Sequence, residues 1–335
     1  MKKLSLVLLA LIALSSCNSD KKKYTDTSEA IHSAAQVSTE HPGKLLMQNK
    51  CYVCHNPNAD HTGRIAPPMV AVKSHYLNND TTKEEFSNAI WKFVQKPTID
   101  KTKMRGAVRR FGIMPYQEFK EEDIKLISEY MYDYKIDEPE WFKEHMEEES
   151  QGKMKYRNDG KTEREVPSEE SEKPTDKGLQ YALNTKQELG KNLMSAIQQK
   201  GTLEAVSFCN KRAYPITDSM SIAQNATIRR VSDKPRNQEN QANDKELKII
   251  EIFKQAVASD QDYEPITETI NGQVAFYYPI TTNSMCLQCH GDPKKDIEPE
   301  VLSALLQRYP KDKATGYGVN EVRGIWSITY NQLAD

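Results

Sequence analysis

Cys51-Tyr52-Val53-Cys54-His55 and Cys286-Leu287-Gln288-Cys289-His290 are two copies of one five-residue pattern. In each copy the cysteines are three positions apart, and a histidine directly follows the second one. That spacing lets two thiols on one helical turn reach the two vinyl groups of a haem, and it carries the histidine to the iron. A redox dithiol or half of a zinc site would explain the cysteines but not the histidine. The sequence therefore predicts two covalent c-type haems, attached through Cys51, Cys54, Cys286 and Cys289, with His55 and His290 as proximal iron ligands.

The residues around the first motif follow an ordered pattern. A short helix, Gly43–Cys51, runs into the motif, and a stiff loop, Arg64–Pro68, follows it. A second helix is predicted over Lys120–Tyr134 from apolar residues at helical spacing. This order resembles a class I cytochrome c over residues 42–136. The resemblance implies an all-α fold in which the helix that carries Gly43 crosses the last helix at an aromatic residue, here Tyr130.

The same resemblance implies the second iron ligand. The methionine of a Met-Pro pair supplies it in that family, which assigns Met114, and the carbonyl group of Pro67 would orient the ring of His55. Other candidates for this position are Met69, Met104, His61 and His75. Of these, Met104 lies in a basic stretch, residues 101–110, that is expected to be solvated. A thioether favours ferrous iron, so a Met/His haem should have a raised potential.

Cys209 lies outside both motifs, and a cysteine that attaches no haem calls for an explanation. It lies in a predicted helix, with Leu203, Val206 and Ala213 expected to face inward. A free cysteine is often a small buried hydrophobic residue. The local pattern does not distinguish such a core residue from an iron ligand.

A second resemblance covers about residues 179–331. The chain is similar to a family of PAS-like c-type haem domains, found as stand-alone cyanobacterial proteins and as sensor regions of bacterial signalling proteins. The resemblance implies that Cys209 is the distal ligand opposite His290. The matching pieces are the helix with Cys209, Ile228–Ser232, Pro235-Arg236-Asn237, Asn240, Tyr278-Pro279, Cys286–Gly291, Tyr309–Ala314 and Gly324–Ser327. Gln238 departs from the family, which usually has proline there.

Three arginines fall in strand-like segments of this region. Arg229, Arg230 and Arg323 are either solvated surface charges or partners of the haem propionates or of a thiolate. The segment Asn271-Gly272 is a strong hairpin signal between two predicted strands. An antiparallel sheet with flanking helices is therefore expected. The predicted helices are Tyr181–Gln199, Thr202–Ala223 and Asp244–Ala258, and the predicted strands are Ile266–Ile270, Val274–Ile280 and Val322–Tyr330.

The amino terminus reads MKKLSLVLLALIALSSC. Two lysines precede an apolar run of the length of a signal-peptide core, which is too short to span a bilayer. Its end resembles the lipobox of bacterial lipoproteins. The resemblance implies cleavage before Cys17 and a lipid on its sulfur. The mature protein would then face the periplasm, and Asn18 favours the outer membrane over the inner one.

The fold class predicted for the chain is two domains, an all-α cytochrome c fold followed by an α+β PAS-like domain with an antiparallel sheet. Most of the segment between them is expected to be linker, because its charged composition buries too little apolar surface. The early part of that segment, Pro139–Glu149, could add a helix. The expected plan is a signal peptide at 1–16, a flexible tether at 17–41, a cytochrome c domain at 42–136, a charged linker at 137–178 and a PAS-like haem domain at 179–335.

Composition limits the partners. The 335 residues include 46 Lys and Arg against 48 Asp and Glu, a net charge of −2. That balance offers no basic field for nucleic acid. The expected partners are periplasmic or membrane redox proteins, with the protein itself anchored to a membrane by its lipid.

The leading functional hypothesis is a non-enzymatic electron carrier with a higher-potential Met/His haem and a lower-potential Cys/His haem. The alternative is a sensor of redox state or of NO or CO, in which Cys209 leaves the iron and the domain signals through a partner. A di-haem peroxidase is disfavoured, because it needs an open iron position with acid–base groups near it.

Overall fold

The computed structural model describes residues 41–150, 156–161, 174–261 and 263–332. The predicted signal peptide, Cys17 and all of the tether except residue 41 lie outside these ranges, and so do parts of the predicted linker. Within the described ranges, no helix combines the length and the apolar character that crossing a membrane requires.

The first domain is built from five helices around one core. Its first and last helices come very close together at Gly43. A Cβ atom on Gly43 would lie 2.1 Å from the carbonyl oxygen of Leu126 and 2.8 Å from Cβ of Tyr130. The glycine-bearing helix and the last helix therefore cross at Tyr130, as expected for this fold. The helices are α1 Pro42–Lys50, α2 Met69–Tyr76, α3 Lys83–Val94, α4 Arg105–Phe111 and α5 Glu121–Asp133.

Much of the described part of the predicted linker packs on this first domain. Helix α6, Phe142–Ser150, places Phe142 (2% exposed) and Met146 (6% exposed) in the domain's core. Further along, Asn158 accepts from the backbone N–H of Ile136 (3.0 Å) and donates to its carbonyl oxygen (2.8 Å). A few apolar side chains and the buried side-chain amide of Asn158 thus pack this segment on the first domain, although its overall composition suggests a linker. The domain boundaries themselves stay predictions.

The second domain begins with a long helix and forms one sheet. Helix α7, Pro174–Ala223, is interrupted at Gly201, where φ is 82°. This agrees with two predicted helices that meet there. The remaining elements are β1 Thr227–Val231, α8 Asp244–Ala258, β2 Ile266–Ile270, β3 Gln273–Thr281, α9 Ser284–His290, α10 Pro299–Arg308 and β4 Val322–Asn331.

The four strands are all antiparallel, in the order β1-β4-β3-β2. Strands β2 and β3 are joined at Asn271 (φ 52°) and Gly272 (φ 73°), the left-handed geometry of a tight hairpin turn. Alternate residues of β4 face opposite helices: Trp326 packs in a cluster with α7, and Ile325 packs in a cluster with Phe253 of α8. The expected fold class, a helical domain followed by an α+β domain with an antiparallel sheet, is confirmed.

Candidate haem-binding sites

The first CxxCH motif continues helix α1 as one further turn. The backbone N–H of Cys51 donates to the carbonyl oxygen of Met47 (2.8 Å), and the backbone N–H of His55 donates to the carbonyl oxygen of Cys51 (2.9 Å). Nδ1 of His55 lies 2.6 Å from the carbonyl oxygen of Pro67. A carbonyl can only accept, so Nδ1 carries the proton and Nε2 keeps a lone pair for a metal. Burial lowers the pKa of His55, which favours the neutral ring that binds iron.

Met114 lies in the segment between α4 and α5, where its half-buried side chain packs against the core of the first domain. The other candidate methionines are core residues, with Met69 6% exposed and Met104 8% exposed. The expectation that residues 101–110 are solvated is wrong for Met104, because this residue precedes α4 and turns inward. Met114 as the iron ligand stays a prediction.

The two candidate histidines both make contacts within the first domain. His61 contacts Arg110 and its ring lies against Trp141, while Nδ1 of His75 lies 2.7 Å from the carbonyl oxygen of Ala71.

All five described cysteines are free thiols, and each is half-buried. Burial raises the pKa of Cys51 to about 12 and that of Cys289 to about 11. The thiols of Cys51 and Cys289 are therefore neutral, and all four motif sulfurs are free of disulfides, as thioether bonds to a haem require.

The second motif forms the short helix α9. The side chain of Asn283 caps it by accepting from the backbone N–H of Cys286 (3.1 Å). Nδ1 of His290 donates to the carbonyl oxygen of Ala314 (2.7 Å), which again leaves Nε2 free. Nε of Arg323 lies 3.2 Å from the same Nδ1. Because Nδ1 carries a proton, this is the close approach of a cation. Burial first, then Arg323 and Arg236, lower the pKa of His290 well below its usual value.

A loop at residues 312–314 holds the carbonyl group that orients His290. Oδ1 of Asp312 accepts from the backbone N–H of Ala314 (2.7 Å), and its Oδ2 pairs with Nε of Arg236 (2.9 Å). Arg236 also donates to the carbonyl oxygens of Cys289 and Ala314. Arg236 was missed as a functional residue, since the only signal for it was its place in the Pro235-Arg236-Asn237 motif.

Cys209 lies on the second half of α7. Its neighbour Val206 is buried (2% exposed) against α10, whereas Leu203, expected to face inward, is 41% exposed. Burial raises the pKa of the Cys209 thiol, and Arg230, Arg236 and Arg323 act in the opposite direction. Cys209 in turn raises the pKa of Cys289. The structure thus brings Cys209 to the second motif, although its role as an iron ligand stays a prediction.

The arginines around Cys209 form a positive cluster. Arg230 and Arg323 pair with no carboxylate among the described residues, and burial together with the neighbouring Arg236 and Arg230 lowers the pKa of Arg323 to about 10. Arg229 faces elsewhere, where it pairs with Glu246 of α8 (3.0 Å). Of the two open interpretations, Arg229 therefore fits the surface one. Arg230 and Arg323 have the surroundings that would suit a haem carboxylate or a thiolate.

Both sites contain the groups that a c-type haem needs. Each has two free thiols and a neutral histidine with a free Nε2, and Cys209 lies within electrostatic range of the second motif. The second site adds cations for the propionates. The residues present therefore fit the group.

Two family models match the chain in consecutive parts. The model described as "Cytochrome c" matches residues 41–135, and the model described as "Tll0287" (Tll0287-like) matches residues 143–331. One similar solved structure is the crystal structure of the cyanobacterial haem protein Tll0287, at 19% identity and a TM-score of 0.36, covering 49% of this chain and 99% of that chain. No curated protein matches the chain.

Proposed function

Because the chain belongs to the Tll0287-like family and carries a cytochrome c domain ahead of that family's domain, we propose that it is a di-haem c-type cytochrome that carries electrons in the periplasm. Its two domains make it a haem-binding redox protein. The finer proposal rests on one observation above all. Each CxxCH histidine donates its Nδ1 proton to a backbone carbonyl, His55 to Pro67 and His290 to Ala314, so that both have Nε2 ready for an iron.

The two proposed iron environments differ, and the potentials follow from that difference. A thioether from Met114 stabilises ferrous iron opposite His55, whereas a thiolate from Cys209 stabilises ferric iron opposite His290. The arginines around Cys209 favour the thiolate form of this ligand. We therefore place the lower potential at the second domain and the higher potential at the first.

A spectroelectrochemical titration of the full-length haem protein tests this assignment. We expect two haems per chain and two separate reduction waves. Cys209→Ala should raise only the lower reduction potential and should change the ferric spectrum of the second haem. Met114→Ala should lower only the higher reduction potential. Met104→Leu is the matched control, because it alters a core methionine of the first domain. An unchanged spectrum of the Cys209→Ala variant would show that Cys209 is not an iron ligand.

The reduced protein also distinguishes carrier from sensor. A carrier with two protein ligands on each iron leaves no position for a gas, so we expect no binding of CO or NO to the reduced protein at micromolar concentration. Tight binding of CO or NO at the second haem of the reduced wild-type protein would favour the sensor instead, because it would mean that Cys209 leaves the ferrous iron.

The membrane anchor has its own test. If Cys17 carries a lipid, the mature protein will fractionate with membranes, with the outer membrane favoured, and Cys17→Ala will either release it or block its processing. Quantitative recovery of the unchanged protein in the soluble periplasmic fraction would contradict the lipid anchor while leaving the haem proposal intact.

A further inference from the structure

The first half of α7, residues 174–200, packs on the cores of both domains. On one side Leu183 (4% exposed) belongs to the core of the first domain, and on the other side Ala182 (1% exposed) belongs to the core beneath the sheet. Asn56, the residue after His55, is fully buried and donates to Oε1 of Gln187 (2.7 Å) and Oδ1 of Asn184 (3.2 Å). The helix therefore lies directly against the first CxxCH motif while it packs on the second domain.

Lys186 occupies the position on this helix between the two motifs. Its ammonium group is close enough to Cys54 and to Cys286 that both thiols act on its pKa, which burial lowers. The two thiols are also close to each other, since Cys286 raises the pKa of Cys54. Within the described part of the chain, no carboxylate pairs with Lys186. Cys54 of the first motif and Cys286 of the second motif therefore both lie within electrostatic range of Lys186.

Two hydrogen bonds join the same regions independently of α7. Oγ of Ser284, two residues before Cys286, donates to the carbonyl oxygen of Tyr116 (3.3 Å), two residues after Met114. The hydroxyl of Tyr278 in β3 bonds to Oδ1 of Asn49, which is two residues before Cys51. Strand β3 is therefore joined to the residues just before the first motif, and the start of α9, which carries the second motif, is joined to the segment just after Met114.

We propose that Lys186 is a positioning residue common to both haems, and that the chain holds the two haems as one directly coupled electron-transfer pair. This inference rests on the proposed function, because it requires both haems. A thioether sulfur is one carbon from the edge of the macrocycle, so residues that hold Cys54 beside Cys286 bring two macrocycle edges together. One electron can then pass from the lower-potential iron to the higher-potential iron, one being oxidised as the other is reduced, without a proton.

The charge of Lys186 provides the test. A fixed cation between the sites favours an added electron on either haem, so Lys186→Gln should lower the reduction equilibrium constant of both haems about tenfold each, which is 59 mV for one electron. Lys186→Arg keeps the charge and should keep both potentials within about a third of that shift. Lys200→Gln is the matched control, since it removes the same charge from an exposed position on the same helix.

Electron paramagnetic resonance of the wild-type holoprotein supplies a readout that needs no variant. We expect magnetic broadening of each ferric signal in the oxidised protein, and narrowing of the remaining signal when only the higher-potential haem is reduced. Three results together would overturn the coupled pair and leave the proposed function standing. They are two haems per chain with two reduction waves, no magnetic broadening of either ferric signal, and reduction potentials that do not change in Lys186→Gln. Fewer than two haems per chain would overturn the proposed function itself.

Discussion

At the scale of single residues, His290 depends on a carboxylate that never touches it. Asp312 fixes the N–H group of Ala314 with one oxygen and Arg236 with the other, and the carbonyl oxygen of Ala314 then accepts from His290. The side chains of Asp312 and Arg236 are only 3% and 12% exposed. An ion pair this deeply placed is costly to break from one side, because the remaining charge has no water to replace its partner.

Asp312→Asn should therefore destabilise the second domain by about 3 kcal/mol, the cost of leaving a buried guanidinium unpaired. The ring of His290 should also lose its fixed orientation, which would shift the potential of the second haem and not that of the first. Denaturant unfolding and redox titration of the same sample measure both effects. An equal shift of the two potentials would show that Asp312 does not act through His290.

Lys73 is a second buried charge, in the first domain. It is 0% exposed, and its Nζ donates to the carbonyl oxygens of Tyr134 (2.6 Å) and Asp159 (2.5 Å). Burial lowers the pKa of Lys73 to about 8, against an ordinary 10.5. The folded chain thus loses this proton before the unfolded chain does, so the unfolding free energy rises with pH above the folded pKa.

We expect Lys73 to add about 2 kcal/mol to the unfolding free energy between pH 8 and about 9.5. Lys73→Gln keeps an N–H donor for the two carbonyls but removes the titration, so the variant should lack this rise. Urea unfolding at several pH values measures the difference between the two proteins, which cancels the ionisation of other groups. A parallel pH dependence in both proteins would show that Lys73 stays charged.

At the scale of elements, the α1–α5 crossing leaves no room for a larger side chain at Gly43. A single added methyl group at Gly43 would meet backbone of α5, which cannot move aside as a flexible side chain can. Gly43→Ala should cost about 3 kcal/mol of unfolding free energy through overpacking. The control is Gly106→Ala in α4, where the nearest atom to the new Cβ is the end of Arg109 at 3.9 Å. That change should stabilise by about 0.5 kcal/mol or more, and both are measured by thermal or denaturant unfolding.

Most elements could be predicted from sequence because their signals are local. Asn271-Gly272 marks the β2–β3 turn, and the apolar period of Leu247, Ile250 and Phe253 marks α8. The inward turn of Met104 and the packing of Phe142 could not be predicted in this way. Both depend on contacts with residues far away along the chain, and both side chains lie in segments that are rich in charged residues.

At the scale of the whole molecule, no pattern in the sequence indicates that the first half of α7 packs on both domains. The contacts that join them are polar, so that periodicity cannot identify them. Asn56 and Gln187 are 0% and 8% exposed and bond at 2.7 Å, although 131 positions separate them. A buried hydrogen bond of this kind is directional, and loss of one partner leaves the other with fewer of its polar groups satisfied.

A double-mutant cycle measures whether this pair fixes the two domains together. Asn56→Ala and Gln187→Ala should each destabilise the full-length protein, and their effects should fall short of additivity by about 1 kcal/mol, because the first substitution already removes the shared bond. Lys120 and Asp260 are the matched control: this ion pair also joins the two regions, at 2.6 Å, but its side chains are 51% and 69% exposed. Solvent screening should leave its two charges nearly uncoupled, so the effects of the two substitutions there should be close to additive. Full additivity at Asn56 and Gln187 would mean that the domains are not held together at this bond, and it would remove the geometric basis for a cation shared through Lys186.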